Sequence, residues 1–267
     1  MIQRDDIFSK NERLISKEAG LAATCLEQGF TALRKANFAQ KWNYYQGFFL
    51  ISIGMERLLK LTIITIYRIE ENKLPNNGEL RKYGHDIEQL FLAVSNHVNP
   101  SNKFLSTDSL YPKIISFLSE YASISRYYNL DSLSGKERTL DPLHKWKEIQ
   151  DEIARRHCKP IEISPMEDFL IGRMSSFSSV FHTDELDKPI TDYSDFYLQG
   201  KNIDKIQGYS IYYLYSLVCH ITDQLKTISS KKYLMPVLSE FFPLFSNRLT
   251  KQEILKRKNW NNLTTNK

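Results

Sequence analysis

The sequence predicts an all-α fold, and three observations carry that prediction. A long apolar run spans 43–72 and is dense in Leu and Ile. Glycine and proline are scarce, at 10 and 9 of 267 residues, which argues against a turn-rich β-sandwich. Elsewhere apolar residues recur three or four positions apart, the spacing of one helical face. Taken in order, a first helix is expected over 11–37, with Leu14, Ala22, Cys25, Leu26, Phe30 and Leu33 on its apolar face and Ser9 or Asn11 as cap. The run 43–72 reads as a buried central helix. Gly47, Ile51, Gly54, Leu58, Leu61 and Thr65 form one stripe along it, where the two glycines admit a close helix neighbour despite costing about 1 kcal/mol each in propensity. Glu56 and Lys60 are spaced for an ion pair on that helix.

Pro, Asn and Gly at 72–78 close the central helix. A third helix follows His85, with Asp86 in its first turn, where an acid suits the helix dipole. A polar loop at 96–108 precedes a fourth helix reaching about residue 128, capped by Asp108 or Ser109. Asp141 and Pro142 read as the cap and first residue of a fifth helix with a Trp146, Ile149, Ile153 seam. The segment 159–165 is expected to be extended, with Pro160 and Pro165 as breakers, and Ser164-Pro165 opens a helix to about 181. Residues 182–202 read as an irregular acidic loop, and 203–229 as a further buried helix. A short helix at 234–247 and a basic, then polar tail with a disordered end complete the chain. The organisation expected is a bundle over 1–158 with a helical extension, 159–267, packed on it.

Net charge is +5, which permits nucleic-acid contact without demanding it. Three scattered cysteines fit neither a zinc spacing nor a disulfide framework. Residues 1–10 lack the apolar core of a signal peptide. The stretch 47–67 has transmembrane length, but Glu56, Arg57 and Lys60 at its middle would each cost roughly 2.5–3.5 kcal/mol in a bilayer. A cytoplasmic protein with no membrane partner is therefore expected. Gly-rich phosphate loops, nucleophile elbows and His-Glu-x-x-His are absent, and the six histidines are dispersed, so no metal and no cofactor are expected.

Glu56-Arg57-Leu58-Leu59-Lys60 in the second helix, Tyr83-Gly84-His85-Asp86-Ile87 entering the third, and Ser125-Arg126-Tyr127-Tyr128-Asn129 ending the fourth together resemble the HEPN superfamily over residues 10–132. The resemblance implies a helical bundle of the kind found in bacterial defence and toxin–antitoxin systems. Catalytic relatives are metal-independent ribonucleases with an Arg and a following His on the last bundle helix, usually brought together in a homodimer. Arg126 occupies the Arg position. Tyr127 to Ser132 contains no His, so Asn129 and Asp131 are the polar groups nearest its place, and only a His would titrate near neutrality. His85 is the remaining candidate acid or base, with Arg81 four residues before it. Tyr127 and Tyr128 are candidates to stack on bases.

The expected catalytic set is thus Arg126, Asn129, Asp131 and His85, with Tyr127, Tyr128 and Arg81 for binding. Each has a plainer role available: His85 as a helix-start hydrogen bonder, Arg126 as a helix closer, the tyrosines as core. Two functions follow from the resemblance: an RNA-directed, metal-independent endoribonuclease, or a catalytically silent module that binds a protein partner or a nucleotide. A helical structural protein is the third reading.

Overall fold

In a computed structural model of the chain, residues 9–101, 103–136, 140–159 and 162–261 are described. The described chain is all-α apart from one two-stranded ribbon. The helices are α1 (Lys10–Lys35), α2 (Trp42–Glu70), α3 (Asn77–Arg81), α4 (Ile87–Val98), α5 (Leu110–Ser123), α6 (Tyr128–Leu133), α7 (Pro142–His157), α8 (Pro165–Phe177), α9 (Tyr193–Ser229), α10 (Pro243–Ser246) and α11 (Lys251–Lys256). None is long and apolar enough to cross a membrane.

Local chemistry sets most boundaries. Ser9 and Glu12 form a reciprocal capping box at the start of α1, and Ser164 with Glu167 repeats it on α8. Asp141 caps α7, with Pro142 in the first turn. Asp86 is the cap of α4 and not a first-turn residue: its carboxylate accepts from the Gln89 N–H at 2.9 Å.

α1 and α2 pack along their length. A Cβ placed on Gly54 would lie 2.7 Å from Leu26 Cγ, and one on Gly47 would lie 2.9 Å from Leu33 Cβ. Gly29 makes the reciprocal approach from α1, where a Cβ would meet Ile51 Cγ1 at 2.7 Å. Leu14 points to solvent and Ile15 is buried in its stead. α4, α5 and α7 complete the bundle, with Trp146 of α7 wedged between Phe48 and Phe117.

Three expectations are corrected. The fourth helix stops at Ser123. Ile124 leaves helical geometry (φ −128°, ψ −57°), residues 125–127 make a tight turn, and α6 starts in a new direction. The acidic loop is partly regular: His182–Thr183 pairs antiparallel with Pro189–Ile190, and α9 begins at Tyr193, giving a helix of 37 residues. Its acids are structural. Asp192 caps α9, Asp184 accepts from the Leu186 and Lys188 N–H groups, Asp187 pairs with Lys41, and Glu185 is buried. Tyr209, Tyr212, Tyr213 and Tyr215 of α9 are all at least half-buried, because α9 is flanked by α1, α2, α4, α5 and α7. The segment after Thr250 forms α11 and returns to the core, where Trp260 is fully buried against Phe30 and Tyr215. Arg34, 5 % exposed, fastens that return by hydrogen bonds to Asp204 at 2.8 and 3.3 Å and to the Leu255 carbonyl at 3.3 Å. One continuous apolar core therefore takes residues from both α1–α7 and α9–α11. The end of the tail and Pro160 lie outside the described residues.

Candidate functional site

The exposed face of α2 supplies one wall of a cleft of ≈ 470 Å³. Ile53, Glu56, Arg57, Lys60 and Ile64 line it at three- and four-residue steps, as one helical face requires. Glu18 of α1, Leu80 of α3, His85 and Arg126 complete the wall. The charges that interrupt the apolar run of α2 are therefore not scattered surface groups. They form the floor of one concave site.

The Tyr83-Gly84-His85-Asp86 signature has a division of labour. Gly84 takes a left-handed conformation (φ +53°), which a side chain would strain. Its carbonyl accepts from Lys60 Nζ at 2.8 Å, fixing the turn to α2. Asp86 caps α4 and also accepts from Ser119 Oγ on α5 at 2.9 Å. Between these two anchors His85 is presented to the cleft.

His85 Nδ1 lies 3.0 Å from Glu56 Oε2, and Lys60 Nζ lies 2.7 Å from Glu56 Oε1. Burial pushes the Glu56 carboxyl up, but the hydrogen bonds from Lys60 and His85 outweigh it and hold the group below the usual carboxylate range. An ionised carboxylate only accepts, so Nδ1 of His85 carries the hydrogen. In the neutral ring, Nε2 then keeps its lone pair, which is the arrangement of a positioned general base. The His85 side chain is 58 % exposed and that of Glu56 13 %, so the ring is reachable and its anchor is not.

Arg126 sits in the turn that follows α5. Nε donates to the Ala122 carbonyl at 2.9 Å, and a terminal nitrogen donates to the same oxygen. A guanidinium has five N–H donors, so most remain for a ligand. Arg57 pairs with Glu18, while its buried Nε has no acceptor among the described residues. The cleft thus combines three fixed cations, one imidazole and two carboxylates over an apolar lining. It suits an anion carrying an apolar or aromatic portion.

Of the residues read from sequence, His85 and Arg126 are brought together in this cleft. The others do not line it. The break at Ile124 places Tyr127, Tyr128, Asn129 and Asp131 beyond the end of α5. Tyr127 and Asn129 are exposed, Tyr128 and Asp131 half-buried, and the Asp131 carbonyl closes the end of α6. Arg81 is exposed at the end of α3, and its neighbour Leu80 faces the cleft instead. Sequence reading missed Glu56 and Lys60 as site residues. The signal was present in three charges at the centre of an otherwise apolar helix. Basic residues elsewhere are paired: Arg156 with Asp108 and Glu152, His157 with Tyr213, and Lys258 with Asp204.

No protein-family model matches the chain, and neither a curated protein nor a solved structure matches it.

Proposed function

We propose that the cleft binds RNA and cleaves it by metal-independent acid–base chemistry, as the resemblance of residues 10–132 to the HEPN superfamily implies. The observation that carries this reading is the meeting of His85 and Arg126, far apart in sequence, in one cleft, with His85 held by the ionised Glu56. His85 Nε2 takes the proton of a ribose 2′-hydroxyl. O2′ then bonds to the adjacent phosphorus and the bond to O5′ breaks, with solvent protonating the departing oxygen. The products are a 2′,3′-cyclic phosphate and a 5′-hydroxyl. Arg126 and Lys60 stabilise the charge that builds on the phosphoryl oxygens. Exposed Ile124, Leu130 and Leu133 beside Arg126 give an apolar surface for the homodimer that the same reading expects.

One observation favours the silent binding module instead: Arg126 is followed by no His, and its guanidinium is partly committed to the Ala122 carbonyl. Purified protein incubated with a mixed RNA pool and EDTA separates the two. Cleavage that survives the chelator and is lost in Arg126→Ala supports the nuclease. Folded wild-type protein that binds RNA without cutting it supports the module.

A further inference from the structure

A second cavity, of ≈ 380 Å³, lies where α5, α9 and α11 meet. It shares no lining residue with the cleft on α2. Its wall is aromatic. Phe104 is stacked between His220, 4.0 Å away and within 3° of parallel, and Tyr111 at 4.5 Å. Tyr212 and Tyr215 of α9 add two further rings. Two cations stand on the same wall. Lys251, at the start of α11, holds its ammonium 5.0 Å from the Tyr209 ring centre and 5.3 Å from that of Tyr212, and has no ion-pair partner among the described residues. Arg248 is paired with Asp223, so the local balance is one net positive charge. Burial holds His220 well below the usual histidine range, to about 4, so it presents a neutral ring near neutrality.

Ring faces accept a planar base by stacking, and a cation beside them fixes an attached anion. The volume falls in the range of small-ligand sites, roughly 300–1,000 Å³. We propose that this cavity binds one nucleotide unit, its base against the Tyr212 ring and its phosphate on Lys251. The chemistry is the same for a free mononucleotide and for one residue of an RNA strand. The site does not depend on the catalytic reading of the other cleft.

Titration calorimetry with adenosine monophosphate tests the proposal, with adenosine, inorganic phosphate and a short oligoadenylate as separate arms. Wild-type protein is expected to bind the monophosphate at least roughly tenfold more tightly than either fragment. Lys251→Gln should weaken binding by about tenfold, and Tyr212→Leu by about five- to a hundredfold, the range of one lost base stack. Arg126→Ala should leave it unchanged. Tighter binding of the oligoadenylate than of the monophosphate assigns the site to RNA, and equal or weaker binding assigns it to the free nucleotide. Absence of binding by wild type overturns the proposal. So does binding that neither Lys251→Gln nor Tyr212→Leu alters, with circular dichroism confirming both folds. Loss of binding in Arg126→Ala would place the ligand in the α2 cleft and overturn it equally.

Discussion

Replacing Gly54 by alanine is the sharpest test of how the bundle is held together. In a helix interior the substitution ordinarily stabilises, by about 0.8–1 kcal/mol, because glycine costs backbone entropy. Here the new methyl would lie 2.7 Å from Leu26 Cγ and 3.0 Å from the Leu26 backbone nitrogen. A side chain could rotate away, but a helix backbone cannot, so α1 and α2 must separate at the middle of their seam. Overpacking of this kind costs about 1–3 kcal/mol, and the seam is tightened further by Gly29 and Gly47, which resist a local tilt. A net loss of up to about 2 kcal/mol is expected, which lowers the midpoint of thermal unfolding by up to about 8 °C for a domain of this size. Gly200, on the exposed first part of α9, has nothing within 4 Å of its would-be methyl. Gly200→Ala should stabilise by up to about 1 kcal/mol. Urea and thermal unfolding of the two variants beside wild type measure the contrast. If Gly54→Ala stabilises as Gly200→Ala does, the close approach of α1 and α2 is not what the fold rests on.

Three further outcomes follow from the same structure. Trp260→Ala should cost about 3–5 kcal/mol, read by urea unfolding, because the ring is fully buried against Phe30 and Tyr215; a loss under 1 kcal/mol would mean that the C-terminal return is not part of the core. Stability should also fall on acidification: His220 has its folded-state value lowered from 6.5 to about 4, so the unfolded chain binds the extra proton between those limits. Its contribution is complete above pH 6.5 and lost as pH drops toward 4, about 1–3 kcal/mol after discounting for partial solvent exposure. His220→Phe should flatten that part of the profile, and an unchanged profile would contradict the assignment. Glu56→Gln should lower RNA cleavage roughly tenfold or more, because the neutral amide no longer fixes the Nδ1–H tautomer of His85; a rate equal to wild type would remove Glu56 from the site.

The amphipathic parts of this fold are legible in the sequence. α1 and α7 each carry both an apolar face and a recognisable start, Ser9 with Glu12 and Asp141 with Pro142. Where those signals part company, reading fails. The first turns of α9 are polar and half-exposed, so residues 193–202 look like loop although Asp192 caps them. The break after α5, at Ile124, has no Gly or Pro to announce it. The buried Trp260 lies in a basic, polar segment whose composition suggests a free end. The cleft was half legible. His85 and Arg126 stand out as residue types, and Glu56 with Lys60 as a helical pair. Their convergence depends on the Gly84 turn and on the contact between the α4 cap and α5, which are properties of the folded chain.

The central claim is that His85 and Arg126 act on one phosphodiester, and a double-mutant comparison tests it directly. Single-turnover cleavage of end-labelled RNA in EDTA would be timed for wild type, His85→Ala, Arg126→Ala and the double variant. Each single substitution should lower the rate, by about 10²–10⁴-fold for the loss of the general base. The double variant should lose little beyond the worse single, because residues that work as a unit are strongly non-additive. Independent, multiplying losses, or an undiminished rate in His85→Ala, would contradict a shared site in the α2 cleft.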